Sequence, residues 1–240
     1  MIFKTIVACL IALPGIAFSA ITLPSDAELI FKFDYSTDTG HTPSINNTNV
    51  GWTHWGSEFP AISNGIAHYS NGGAYTDSSY SFNANEFTID FKIANVQNSG
   101  LGYVMGIGTG SIPSQSYLFS VLTSQDSLVL MFNNQEVGRI DGLSLSGSTF
   151  TNLTITNSQT DGLCFYANGE KKGSFAAISG TVSDRINLGA QYQGSGANQK
   201  LQADLQDIAL YSTAASVPEP ATASLSLLGL AALMLRRRKV

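Results

Sequence analysis

The sequence predicts an all-β fold, an antiparallel β-sandwich, and three observations lead there. Only 12% of the 240 residues are charged, and the polarity comes instead from Ser, Thr, Asn, Gln and 23 glycines. That mixture is poor in helix formers, while the 13 Phe and 9 Tyr favour strands. Between the two ends, over residues 20–216, period-two alternation of apolar and polar residues recurs, and no window there holds a helical apolar period for ten residues. Turn signals at short intervals separate the alternating runs.

The elements follow in order. Met1 to Ser19 carries one early base, Lys4, then the apolar run Thr5–Leu13 and a Pro14-Gly15 break. Small residues end the segment, so it reads as a secretory signal helix cut between Ser19 and Ala20. Cleavage removes Cys9 and leaves Cys164 alone, so the mature chain has no internal disulfide. Residues 20–216 form the body, expected as one domain.

In Phe87–Ile93 the residues Phe87, Ile89, Phe91 and Ile93 share one face and Thr88, Asp90 and Lys92 the other. Phe31–Tyr35 repeats that pattern. Tyr117–Val121 and Leu128–Phe132 are more apolar, as strands covered on both sides are. Asn168-Gly169 lies between Leu163–Ala167 and Glu170–Phe175, where a tight hairpin needs positive φ.

The carboxyl end has three parts: Val217-Pro218-Glu219-Pro220, an uncharged apolar stretch over 221–235, and Arg236-Arg237-Arg238-Lys239. As bare physics this is a short membrane anchor with a cytoplasmic basic stop. The order of parts resembles the PEP-CTERM sorting signal of bacteria that secrete exopolysaccharide. That resemblance implies a hydrophobic sorting helix over 217–240, transient anchoring in the inner membrane, and processing by a membrane exosortase. Export then involves two partners, signal peptidase and exosortase, and delivers the protein to the cell surface or extracellular matrix.

Four stretches of the body resemble the LamG-like, concanavalin A-like jelly rolls. They are Gly65–Tyr75, Phe87–Ile93, the Leu163–Phe175 hairpin, and Ile186–Gly189 followed by Ala203–Tyr211. The chain departs from that family at Lys92, and at Ser148–Asn152 before the hairpin. The shared motifs are structural, so the resemblance implies the jelly roll more firmly than any activity.

Charge narrows the function. The body holds sixteen acids against seven bases, a net charge of −9, so nothing in it suits a nucleic-acid backbone. Glycoside hydrolysis on this fold needs paired carboxylates on one strand face. The only acids spaced by two are Asp26 and Glu28, whereas Glu86/Asp90 and Asp204/Asp207 have other spacings, so no catalytic residue is assigned and the chain is not expected to be an enzyme. The glycines of Gly100–Gly110 precede no helical pattern and are read as strand-edge residues, not a dinucleotide loop. Cys164 is expected to be a buried, inert thiol. His41, His54 and His68 lack metal-ligand spacing and are read as surface or loop residues.

Trp52, His54 and Trp55 fall in one polar segment, Asn49–Ser57, expected as a loop on whose indoles a pyranose could stack. Their alternative is to fold inward over the sandwich edge. No cofactor is expected. The resemblance leaves calcium open, with Asp34, Asp38, Asn83, Asn85, Glu86 and Asp207 as candidate oxygens and no ligand set assigned. The expected function is a noncatalytic module that binds carbohydrate, such as exopolysaccharide. The alternatives are a self-associating matrix protein and, more remotely, a glycoside hydrolase.

Overall fold

Side-chain alternation decides which face of each strand is buried, and the computed structural model shows the outcome for residues 22–23, 27–33, 35, 44–45, 48–49, 52–56, 60–70, 72–108, 118–193 and 196–215. Among these residues the strands are β1 (Leu29–Phe33), β2 (Ser44–Ile45), β3 (Thr48–Asn49), β4 (Trp52–Gly56), β5 (Ala61–Ser63), β6 (Ile66–Tyr69) and β7 (Gly72–Asn83). They continue with β8 (Phe87–Ala94), β9 (Gly102–Ile107), β10 (Phe119–Thr123), β11 (Leu128–Phe132), β12 (Gln135–Ile140) and β13 (Thr151–Ser158). The last are β14 (Gly162–Ala167), β15 (Glu170–Phe175), β16 (Thr181–Leu188), β17 (Gln191–Gln193), β18 (Gly196–Asn198) and β19 (Ala203–Tyr211).

Two antiparallel sheets make the sandwich. One has eight strands in the order β15-β14-β13-β8-β19-β6-β5, with β1 as the eighth, paired to the second half of β19. The other has seven, β12-β11-β10-β9-β16-β7-β4. The hairpins β2–β3 and β17–β18 stand apart from both. The hairpin turns of β5–β6, β11–β12 and β14–β15 are each two residues long. Their central pairs, Asn64-Gly65, Asn133-Asn134 and Asn168-Gly169, all take positive φ. That is the backbone twist a two-residue turn requires, and the third pair is the one the sequence marks.

The core lies between the sheets. Phe87, Ile89, Phe91 and Ile93 of β8 are fully buried, as alternation predicts. Phe87 meets Phe82 of β7 and Phe119 of β10 edge-on, with ring centroids 6.1 and 5.2 Å away, and Phe82 meets Phe119 at 5.0 Å. The trio joins the two sheets through favourable edge-to-face contacts. β10 and β11 are covered on both sides, as their apolar sequences predict. Beyond the main core, Tyr103, Leu122 and Val129 form a second apolar cluster on the far side of the seven-stranded sheet.

Two crossovers carry the chain between the sheets at one end, β7 to β8 through residues 84–86 and β15 to β16 through residues 176–180. A single buried amide joins them. Asn157 Nδ2 donates to the carbonyls of Ala84 (2.9 Å), Asn85 (3.0 Å) and Ile178 (3.0 Å), and its Oδ1 accepts from the Ile178 N–H (3.1 Å). Backbone pairing of Ala84 N–H to Gly180 C=O at 2.7 Å closes the junction.

The signal helix at 1–19 and the sorting helix within 217–240 lie outside the described residues. Among the described residues no helix is long and apolar enough to cross a membrane.

Candidate functional site

The outward face of the eight-stranded sheet gathers polar chemistry in registered rows. β8 places Thr88, Asp90 and Lys92 outward because Phe87, Ile89, Phe91 and Ile93 are taken by the core. Antiparallel register then fixes what stands beside them. One row runs Tyr166–Thr154–Asp90–Ala209–Lys32 across β14, β13, β8, β19 and β1. The next runs Ser174–Cys164–Thr156–Thr88–Tyr211, and a third Asn152–Lys92–Gln206.

The floor is small and buried: Thr88, Thr154, Thr156 and Cys164 lie flush beneath longer neighbours. Half-buried Tyr166 and Tyr211 stand on either side of it. Between them the Thr154 hydroxyl donates to Asp90 Oδ1 at 2.9 Å. Burial raises the Asp90 carboxyl above its ordinary range, against the opposing pull of the Thr154 bond and Lys92. Burial likewise raises the phenols of Tyr166 and Tyr211, with the Asp90 charge adding to the second. Thr88 belongs to the frame: its hydroxyl donates to Thr213 C=O at 2.8 Å and accepts from Ala215 N–H at 2.7 Å.

A bulge extends this face toward the β5–β6 edge. β19 buries Leu205, Ile208 and Leu210, an uneven spacing that needs one extra residue. Asp207 supplies it, in the left-handed region at φ 43°, and the register shifts between Gln206 and Ala209. Asp204 and Gln206 therefore share the outward face with Ala209 and Tyr211. Asp207 lies 3.9 Å from Lys92 Nζ.

Beyond Gln206 the row is Ala61–His68–Asp204–Ala94. His68 Nδ1 lies 2.7 Å from Asp204 Oδ1, Asn95 Nδ2 donates to Asp204 Oδ2 at 2.6 Å, and Ser63 Oγ lies 3.0 Å from His68 Nε2. His68, read from sequence as a surface or loop residue, is half-exposed on strand β6 and belongs to a four-residue network.

The residues singled out by sequence lie elsewhere. Trp52, His54 and Trp55 belong to an edge strand, β4, in place of the expected loop: their β-favouring segment pairs with β7 as Trp52↔Thr76, His54↔Ala74 and Trp55↔Gly73. Their strand belongs to the other sheet from the Tyr166–Tyr211 face.

Cys164 is buried as expected, with Sγ 3.5 Å from both Asp161 C=O and Ser174 Oγ. The Gly100–Gly110 segment contributes the buried strand β9. Among the described residues no three His, Cys, Asp or Glu side chains come together as a metal group. Two of the candidate calcium oxygens are engaged with backbone: Asn83 Oδ1 accepts from Asn85 N–H at 3.1 Å, and Asn85 Oδ1 from Gly180 N–H at 2.9 Å. Asp34 and Asp38, the cleavage residues Ser19 and Ala20, and the sorting residues Val217 to Pro220 and Arg236 to Arg238 lie outside the described residues.

The cross-strand rows were hidden in the sequence. Asp90 is visible there as an outward residue, but its partners are 64 and more residues away in the chain. Only the outward polar alternation of β8 and β13 signals them.

A two-sheet antiparallel sandwich with polar residues ranked on a sheet face defines a class of protein, the jelly roll of lectins and glucanases. The chain belongs to the concanavalin A-like lectin/glucanases superfamily, whose laminin G model matches residues 68–219. The PEP-CTERM protein-sorting motif matches residues 216–239 and marks an exported protein of the exosortase pathway. Among solved structures, the receptor-binding domain of botulinum neurotoxin mosaic serotype C/D is similar with a TM-score of 0.55 at 13% identity, over 78% of this chain and 48% of that one. A Trypanosoma rangeli sialidase in complex with sialic acid is similar with a TM-score of 0.53 at 14% identity, over 78% of this chain and 31% of that one. At these identities the likeness is one of fold, and the chain spans less than half the length of either structure. No curated protein matches the chain.

Proposed function

We propose that this protein is an exported module of the cell surface or extracellular matrix that binds polysaccharide without cleaving its glycosidic bonds. Signal peptidase and exosortase act on it during export, and no resident cofactor takes part. The observation that carries the reading is the pair of half-buried tyrosines flanking the Thr154–Asp90 hydrogen bond on the eight-stranded sheet. A tyrosine face offers an apolar surface to a pyranose ring while its hydroxyl keeps a hydrogen-bonding edge. Asp90, Lys92, Asn152 and Gln206 supply acceptors and donors for sugar hydroxyls, and the strand register ranks them in rows across the sheet that suit an extended chain.

Affinity electrophoresis of the full chain through gels containing polysaccharide tests this. Retention is expected on at least one glycan, and Tyr166→Ala or Tyr211→Ala is expected to weaken it at least tenfold with the fold intact by circular dichroism. Trp52→Ala and Trp55→Ala are the parallel pair for the β4 surface. If only the tryptophan variants lose retention, the binding face is misassigned. If no glycan retards the protein while it assembles with rising concentration, the matrix role rests on self-association and the binding reading falls.

A further inference from the structure

We propose that Ser63, His68 and Asp204 form a nucleophile–base–orienting triad that hydrolyses short acyl esters at the β5–β6 edge of the eight-stranded sheet. Nucleophilic catalysis by serine is recognised by atoms and roles more than by sequence spacing. Here the atoms are in the required order. Ser63 Oγ meets the ε nitrogen of His68 at 3.0 Å, and the δ nitrogen meets Asp204 at 2.7 Å.

Asp204 fixes the tautomer. An ionised carboxylate only accepts, so Nδ1 carries the hydrogen and donates it. In neutral His68 the ε nitrogen is then a bare acceptor, and the Ser63 hydroxyl donates to it. That is the arrangement in which imidazole can take the serine proton. Asn95 holds the second carboxylate oxygen at 2.6 Å, so Asp204 is oriented from both sides.

The backbone locks these positions. Ser63 follows buried Ile62, and His68 stands between buried Ala67 and Tyr69, so both outward side chains sit on strands anchored in the core. The row neighbour of His68 on β5, Ala61, is small and exposed, so that flank of the imidazole is open. The intervening turn, Asn64-Gly65, has positive φ at both residues, 52° and 74°. A two-residue turn leaves its central N–H groups outside the strand ladder, and the N–H groups of Asn64 and Gly65 next to Ser63 are the donors assigned to the oxyanion.

The reaction balances with water alone. Ser63 Oγ bonds to the acyl carbon as its proton passes to His68 Nε2. The ester C–O bond breaks and the departing alcohol oxygen takes that proton. Water, deprotonated by the same nitrogen, then releases the carboxylic acid and restores Ser63. The exposed setting suits a small acyl group carried on a larger hydroxyl-rich chain. That carrier rests on the binding reading above, whereas the triad chemistry does not.

Two probes therefore need no glycan: a fluorophosphonate, located by peptide mass spectrometry, and p-nitrophenyl acetate, both applied to the full chain. The fluorophosphonate is expected on Ser63, and Ser63→Ala is expected to abolish both labelling and ester turnover. His68→Gln and Asp204→Asn are expected to lower turnover about 10³-fold or more, the scale for members of such a unit. Absence of label on Ser63 in folded protein, or ester turnover unchanged in Ser63→Ala, overturns the proposal and leaves polysaccharide binding standing. Ser63 is exposed, so Ser63→Ala is expected to fold, and its circular dichroism spectrum verifies this.

Discussion

Replacing Asn157 by leucine removes the amide that joins the two crossovers while keeping its branched outline, so the lost hydrogen bonds set the least cost and the bulkier methyl groups only add to it. Four backbone groups use that side chain. Two of them have a second donor: Gln159 Nε2 reaches Ile178 C=O at 3.0 Å and Asn85 C=O at 3.3 Å. Ala84 C=O and Ile178 N–H lose the Asn157 bond with no such backup from Gln159. Each buried group left unsatisfied costs about 1–3 kcal/mol, so the loss is about 2–6 kcal/mol with a centre near 4. That is a large part of the roughly 5–15 kcal/mol by which domains are stable. Urea unfolding followed by fluorescence is the assay. With an m-value of about 3 kcal/mol/M, the midpoint is expected to fall by about 1.3 M. Asn157→Leu combined with Gln159→Leu is expected to cost more than the separate losses added together, because the backup donor goes as well. A midpoint for Asn157→Leu within about 0.2 M of the parent, at unchanged m, refutes the junction as a stabilising element.

Phe119→Ala empties the centre of the aromatic trio and is expected to cost about 3–5 kcal/mol in the same urea assay. Asp90 is a carboxyl raised by burial, so its charged form is the one the fold disfavours; that cost is present above its folded pKa and disappears as pH falls below the ordinary value of 3.8. Asp90→Asn is therefore expected to raise the melting temperature at pH 7, and melting curves from pH 7 to pH 3 should show the difference shrinking to nothing. Asp207→Gly is expected to be neutral or stabilising by up to about 1 kcal/mol, since glycine takes positive φ freely and the 3.9 Å pair with Lys92 is exposed. Asp207→Val, with a β-branched residue forced into the left-handed region, is expected to lose about 1–2 kcal/mol in parallel urea titrations.

The strands were legible wherever one face alone is buried. Phe87–Ile93 alternates because its inward residues fill the core while Thr88, Asp90 and Lys92 meet the outside, and hydrophobic period reports that contrast directly. The Asn168-Gly169 turn was legible because positive φ narrows the choice of residue. β4 was not: five residues at a sheet edge leave too short a run for a period to emerge, and its partner β7 is fixed only by tertiary pairing. The network at His68 was hidden for a different reason. Ser63 and His68 are five residues apart, but the acid that completes the set is 136 residues from the histidine, a separation no local spacing encodes.

The bulge at Asp207 shows how a single local exception governs the whole face. A strict two-residue period through β19 would place 204, 206, 208 and 210 on one side, burying or exposing them together. The observed strand turns 204 and 206 outward, half-buried, but buries 208 and 210 in the core, because the residue at 207 is counted out of the ladder. Without it, Asp204 could face His68 only if Ile208 and Leu210 left the core, or these could stay only if Asp204 turned into it. The strained φ of Asp207 is thus what lets one strand serve the core, the tyrosine-flanked floor and the serine–histidine network at once. An outlier of backbone geometry in a strand otherwise built by pattern is therefore the structural link between the binding surface and the proposed chemistry at its edge.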